Sequence, residues 1–286
     1  MQNQQLNNEC QQPAENTYTL HRRFDRMGRL VGDAAMEKLF SSHVMVMGLG
    51  GVGSWTAESL CRSGVGKISV VDFDEVCITN SNRQLHALKG MVGEKKALVM
   101  AERLQKVNPQ CEVRPIVEFV SEKNSDLFLN QKPDVIVDAI DNLTAKAFLL
   151  SQCRQKKQKV ITSTGASAKM DPLQIKLVDL AQSHTDPMAH QLRKILRQKY
   201  EFPEKGEFDI PCVFSTEAPT APVELKYDKG MGFKCVCPHA ENRPHSCEKR
   251  NVIYGTASFV TGAFGLAMAS WVVREILQLN EASTWQ

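Results

Sequence analysis

The segment from His43 to Gln84 constrains this chain more than any other. His43 to Met47 reads as a short buried strand, Gly48-Leu49-Gly50-Gly51-Val52-Gly53 as a glycine turn, and Ser54 onward as a helix. That order is the fingerprint of a nucleotide-binding α/β unit. Glycine lets the backbone approach a phosphate, and the helix N terminus favours its negative charge. Ile68 to Val71 is a second apolar strand ending at Asp72, where a carboxylate would hold ribose hydroxyls. Alone, the turn would also suit an ordinary nicotinamide or flavin site. The residues downstream argue against that. Asp72 is succeeded by Asp74, Asn80, Arg83 and Lys96, and polar and cationic groups in that order suit a triphosphate better than a nicotinamide.

With 286 residues the chain can form one large α/β domain or two small ones. Its 35 Lys and Arg against 32 Asp and Glu leave +3, too mild to indicate a nucleic-acid partner by itself. Residues 1–17 are polar and rich in Gln and Asn, so they are expected to form a disordered tail, and no secretory signal is read there. Nine cysteines without such a signal point to a reducing cytoplasm. Ala257 to Val273 approaches the length of a membrane span, but it is rich in small residues and carries Ser258, Thr261 and Ser270. A buried helix packed on a sheet is the preferred reading, and no membrane partner is expected.

Apolar spacing predicts a charged helix over Arg22 to Phe40, then the βαβ unit from His43 to Val71. Glu94 to Val107 reads as a helix ended by Asn108-Pro109, Glu112 to Val117 as a strand, and Ser121 to Leu129 as a capped helix. Asp134 to Ala139 is a strongly apolar strand followed by Asp141-Asn142. Thr144 to Gln155 comes next as a helix and Lys159 to Ser163 as a strand. This alternation predicts an α/β fold: a doubly wound, mostly parallel, Rossmann-like sheet with an irregular C-terminal extension. Leu173 to Asp179 reads as a further strand and Asp186 to Lys199 as a basic helix with Pro187 near its start. Glu201 to Lys234 is rich in Pro and Gly and is expected to be a crossover connection or loop, before a last helix over Phe259 to Gln278. The expected division is a nucleotide-binding domain over 18–170 and a substrate region over 171–286 packed on it.

A glycine turn, an acidic residue after the second strand, Asn80-x-x-Arg83-Gln84, a lysine on the next helix, and a strand ending in Asp138-Ala139-Ile140-Asp141-Asn142 occur here in that order. In this the chain resembles the ubiquitin-activating-enzyme-like superfamily, whose bacterial members adenylate sulfur-carrier proteins. The resemblance implies that Gly48, Gly50, Gly51, Gly53, Asp72, Asp74, Asn80, Arg83, Lys96, Asp141 and Asn142 bind ATP. Asp72 would hold the ribose, Asn80, Arg83 and Lys96 the phosphates, and Asp141 a Mg²⁺ near the α-phosphate. Family spacing favours Lys96 over Lys95. Arg23-Phe24-Asp25-Arg26 resembles an Arg-Tyr-x-Arg element of the superfamily, which implies a homodimer with Arg26 reaching the partner's ATP in trans. The chemistry is coherent, because a carboxylate attacking the α-phosphorus meets charge repulsion that cations aimed at the phosphates relieve.

The second half separates branches of the superfamily. Those acting on sulfur carriers or ubiquitin hold zinc with two Cys-x-x-Cys pairs, and no such pair occurs here. Cys235, Cys237, His239, His245 and Cys247 form the one Cys/His cluster, with Cys235, Cys237, His239 and Cys247 as the candidate zinc ligands. Its spacing is unorthodox, so a loop of reduced thiols is preferred and zinc stays the alternative. Cys212 lies where thioester-forming relatives keep a nucleophile, but no nearby residue would activate it, and a structural thiol is preferred. The run Val178 to Pro187, leading into Arg193, Lys194, Arg197 and Lys199, resembles the branch of tRNA threonylcarbamoyladenosine dehydratases, as do Val213 to Glu217 and Gly255 to Val260. The insert from Lys226 to Arg250 departs from it. The branch implies tRNA as substrate, held by the four basic residues, with a sulfur-transfer protein as a further candidate partner. It implies adenylation of a threonyl carboxylate beside the anticodon and cyclisation onto the carbamoyl oxygen. The alternative is adenylation of the C terminus of a sulfur-carrier or ubiquitin-like protein, which would use every motif through Asn142.

Overall fold

Strand β1 (His43–Met47) is buried at all five positions, because both of its faces are covered. Val44 and Val46 pack into one apolar layer and Met45 and Met47 into the other. A run without polar alternation is what a central parallel strand requires. The computed structural model describes residues 22–225 and 254–279, and within them one seven-stranded sheet runs in the order β3-β2-β1-β4-β5-β7-β6. Its other strands are β2 (Lys67–Val71), β3 (Glu112–Ile116), β4 (Val135–Asp138), β5 (Val160–Ser163), β6 (Ile175–Asp179) and β7 (Pro211–Ser215). All neighbours are parallel except β6 and β7, which pair antiparallel from Ile175 opposite Ser215 to Asp179 opposite Pro211.

Helices α1 (Asp25–Val31) and α2 (Asp33–Ser41) replace the single helix expected over Arg22 to Phe40. The break falls at Gly32, whose φ of +83° no continuous right-handed helix can contain. Helices α3 (Gly53–Arg62), α4 (Lys96–Val107), α5 (Ser125–Leu129), α6 (Leu143–Gln155) and α7 (Pro187–Tyr200) follow their strands, and α8 (Ser258–Ile276) closes the described chain. Leu60 of α3, Met100 and Leu104 of α4, and Phe264 of α8 share the layer of Val44. Leu149 and Leu150 of α6 and Leu192 and Leu196 of α7 share that of Met45. Helix α8 is the one described helix long and apolar enough for a membrane span, and its Val260, Phe264, Met268 and Val272 are fully buried, packed against α3 and the sheet.

The segment expected to be a crossover or loop over Glu201 to Lys234 contains β7. Cys212 and Phe214 face one layer and Val213 the other, so this five-residue strand is buried on both sides and carries no alternation to announce it. It completes the sheet: β7 pairs with β5, and β6 then pairs with β7. The connection after β1 enters α3 on one face, while that after β4 enters α6 on the other. The divergence opens a crevice beyond the carboxyl ends of β1 and β4, where α/β sheets bind their ligands.

Candidate active site

The glycine turn lines that crevice. Gly48 has φ +86°, donates its N–H to the Val71 carbonyl at 2.8 Å, and lies so close to β4 that a Cβ would sit 2.6 Å from the Ala139 carbonyl oxygen. A Cβ on Gly53 would sit 1.8 Å from the Gly48 oxygen, so the turn closes on itself only with glycine at both ends. At Gly50 a Cβ would meet nothing within 4 Å, which leaves room over the N terminus of α3 for a phosphate. Gly51 is backed by Thr261 of α8 and by the stem of Arg83.

Asp72 is buried and braces the turn. Its Oδ2 accepts from Leu49 N at 2.7 Å and its Oδ1 from Asp74 N at 2.9 Å. A carboxylate has about four acceptor sites, so two remain for ribose hydroxyls. Burial raises the Asp72 pKa, with Lys96 opposing that rise. Lys96 begins α4 and is itself buried, 3.0 Å from Asp74 Oδ2. Burial disfavours its charge, but Asp72, Asp74 and then Asp141 outweigh that and raise its pKa. The three predicted carboxylates and the predicted lysine thus converge. Lys95 points elsewhere, pairing with Glu75 at 3.2 Å.

Asn80 sits in a 3-10 turn over Ile78–Asn80, where its Oδ1 accepts from Cys77 N at 3.0 Å. Arg83 donates to the Thr79 carbonyl at 2.9 Å and to Asn82 Oδ1 at 3.0 Å, while Trp55 of α3 donates to the Arg83 carbonyl at 3.1 Å. These bonds hold the arginine stem against Gly51. Asp141 is exposed just beyond β4. Asn142 has a local duty: its Oδ1 accepts from Ala145 N at 3.0 Å and caps α6.

Beneath Asp141 lies a group that sequence reasoning missed. Lys146 is fully buried and donates to Asp138 Oδ2 at 2.7 Å, Thr162 Oγ1 at 3.1 Å and the Asp138 carbonyl at 3.4 Å. Thr162 also donates to Asp138 Oδ2 at 2.7 Å. This fixes the end of β4 and with it the start of the Asp141 loop. The available signal was a lysine inside the apolar run Ala145 to Leu150.

The basic helix α7 departs from the arrangement expected of it. Arg193 donates to Ser183 Oγ at 2.5 Å, and Arg197 donates to the Pro203 carbonyl at 3.2 Å and lies 5.0 Å over the Phe208 ring. Both guanidinium groups are half-buried in internal contacts. Lys194 and Lys199 are exposed, Lys199 pairing with Glu122 at 3.3 Å. The four cations therefore form two sets with different surroundings. Arg26 is exposed on α1 with no hydrogen-bond partner among the described residues, while its neighbour Phe24 is buried against Phe40. Cys212 is wholly buried, and burial pushes its thiol up to about 12, so it remains protonated at neutral pH. Cys235, Cys237, His239 and Cys247 lie outside the described residues.

Fold and site together define a doubly wound α/β protein of the nucleotide-binding type, with a glycine turn at the carboxyl end of its central strand. The ThiF family model matches residues 24–285, and the chain belongs to that family. It is 38% identical over 257 residues to the tRNA threonylcarbamoyladenosine dehydratase of Escherichia coli, across 89% of this chain and 93% of that protein. Its identity to the Bacillus subtilis protein of the same name is 36% over 255 residues, across 89% and 94%. The crystal structure of the E. coli tRNA N6-threonylcarbamoyladenosine dehydratase in complex with ATP superposes with a TM-score of 0.77 at 35% identity, covering 92% of this chain and 97% of that one. The same enzyme in complex with AMP also gives 0.77.

Proposed function

We propose that this chain is an ATP-dependent enzyme that cyclises threonylcarbamoyladenosine in tRNA. The observation that carries the reading is the convergence of Lys96 with Asp72, Asp74 and Asp141 beside the glycine turn, in a chain similar along nearly its whole length to dehydratases of that name. In the first step a carboxylate oxygen of the threonyl group attacks the α-phosphorus of ATP. The bond to the β-phosphate breaks and pyrophosphate leaves. In the second step the carbamoyl oxygen attacks the activated carbonyl, its nitrogen loses a proton, and AMP departs with the former carboxylate oxygen. The net change in the nucleoside is loss of water. Attack within one side chain needs no protein nucleophile, which agrees with the protonated, buried Cys212.

Gly50, Gly51 and Gly53 present backbone to the phosphates, Asp72 orients the ribose, and Asn80, Arg83 and Lys96 stabilise charge that shifts toward the leaving pyrophosphate. Among the described residues no three His, Cys, Asp or Glu groups gather to hold a metal ion. Mg²⁺ commonly uses one or two carboxylates together with substrate phosphates, so the exposed Asp141 fits it as the single protein ligand. The bound ion would neutralise phosphate charge. Residues 18–170 would supply adenylation and 171–286 the tRNA contacts, with Arg26 completing the site of a second copy. A cytoplasmic setting fits a tRNA substrate and nine cysteines.

The deciding experiment is AMP release from ATP with tRNA carrying threonylcarbamoyladenosine, against unmodified transcript, followed by mass spectrometry of the digested tRNA. A nucleoside lighter by one water is expected. ATP–pyrophosphate exchange stimulated only by a sulfur-carrier protein would replace tRNA as the substrate.

A further inference from the structure

Among the described residues Lys146 and Lys169 are fully buried in ion pairs, and they are satisfied very differently. An ammonium has three donors. Lys146 uses them on three acceptors at 2.7, 3.1 and 3.4 Å. Lys169, 1% exposed, reaches only Asp186 Oδ2 among the described residues, at 3.5 Å. A buried charge is costly unless its geometry is good and its other donors are satisfied, so Lys169 is a cation with unused capacity.

Its place in the fold gives that capacity a use. Lys169 lies in the connection leaving β5, beside β4, whose continuation carries Asp141. Adjacent strands are about 4.8 Å apart, so this connection borders the nucleotide crevice on the side away from β2. Ala168 is held at φ +62°, a left-handed conformation that non-glycine residues adopt mainly at turns and ligand clamps. Its N–H donates to the Gly255 carbonyl, and the Thr256 carbonyl accepts from Asn82, the neighbour of Arg83. Met170 N and Asp171 N both donate to the Glu217 carboxylate beyond β7. The connection is thus tied to the phosphate-binding loop on one side and, through Asp186, to the start of α7 on the other. Beside it, a Cβ at Gly165 would lie 2.5 Å from Asp186 Oδ2.

We propose that Lys169 is the acceptor-side cation of this site: on opening of the Ala168 turn, its ammonium takes the carboxylate that is to be adenylated, and Asp186 holds it when no acceptor is bound. The inference rests on the adenylation reading. Arg83 and Lys96 relieve charge on the phosphates, but the incoming carboxylate is also an anion and needs a cation of its own. Lys169 is the described lysine at that edge with donors to spare.

The test is the double variant Lys169→Met with Asp186→Asn, which removes both buried charges together and leaves asparagine to cap α7. ATP affinity, thermal stability and ATP–pyrophosphate exchange would be measured with two acceptors, threonylcarbamoylated tRNA and a sulfur-carrier protein with a free C terminus. The expected result is unchanged ATP affinity, with the KM for the working acceptor raised about 10- to 100-fold, the scale of one charge-assisted hydrogen bond. Lys169→Arg alone should restore part of the loss. Wild-type exchange kinetics in the double variant, or equal losses of ATP and acceptor binding, would overturn the proposal. Exchange of the wild-type protein with the carrier alone would refute the tRNA reading while still testing Lys169, and exchange with neither would overturn both.

Discussion

Asp141 shows how an exposed residue can matter to a buried one: it stands in solvent at the end of β4 and still helps keep Lys96 charged. Asp141→Ala is expected to lower AMP formation by about 10²- to 10³-fold, the scale of removing one electrostatic interaction from a transition state. Its melting curve should barely move, because an exposed side chain at a strand end carries little packing. Steady-state AMP release and a thermal melt on the same sample check both halves. Burial acts in the same direction on two histidines. It lowers His43 to about 4, with Lys67 adding to the effect, and lowers His86 to about 3, with Lys96 and Arg103 adding. Both fold neutral while the unfolded chain binds protons below about pH 6.5. Stability is therefore complete above that pH and falls as the pH drops toward 4, by up to about 1.4 kcal/mol per pH unit for each histidine. Both ring nitrogens of His86 are buried without a partner among the described residues, so His86→Leu should flatten the acid limb in urea melts from pH 7 to pH 4.5. Asp72, Asp74, Lys96 and Asp141, which the fold brings together, could be read in order from the chain, since each stands at a strand end or a helix start that the local pattern marks. Lys169 could not, because nothing in its neighbourhood in the chain distinguishes it from a surface lysine, and Lys146 left only the signal of a lysine inside an apolar run.

At the scale of elements, α8 and α3 meet more closely than two ordinary helices do. A Cβ at Gly265 would lie 2.5 Å from the Val52 carbonyl and 2.8 Å from Trp55 Cβ, and Thr56 Oγ1 donates to the Gly265 carbonyl at 3.1 Å. Gly265→Ala is expected to cost about 1–3 kcal/mol and to weaken ATP binding, because the clash displaces the N terminus of α3 at the proposed phosphate site. Denaturant melts and nucleotide titration would show the two losses together. Gly265, one of the small residues that tell against a membrane span, is thus required for close packing. Helix α7 divides its cations by environment. Lys194→Glu with Lys199→Glu should weaken tRNA binding and shallow its salt dependence by about one unit of slope for each phosphate no longer neutralised, while sparing stability. Arg197→Glu should destabilise the fold, since it breaks the bond to Pro203 and the stack on Phe208. Filter binding across a salt series, beside melting curves, separates the two sets.

At the scale of the whole molecule, the proposal is that a second copy completes the site. Arg26 is exposed on α1, and the proposal that it serves a neighbouring copy makes a test of assembly. Arg26→Ala and Lys96→Met are each expected to be nearly inactive. Mixed and allowed to exchange subunits, they should regain up to about a quarter of wild-type AMP formation, because half of the mixed dimers' sites would carry both groups. No recovery would place Arg26 outside the reaction. The alternation of strands and helices, the mostly parallel sheet and the crevice beyond its carboxyl ends were all determined by the sequence, through apolar runs, a glycine turn and acidic residues at strand ends. Those signals are local, written within a few residues of where they act. Strand β7, the break at Gly32, the split of α7 into structural arginines and exposed lysines, and the buried Lys169 were decided only by the tertiary structure. Burial, pairing and close approach are set by neighbours distant in the chain, and no local pattern records them.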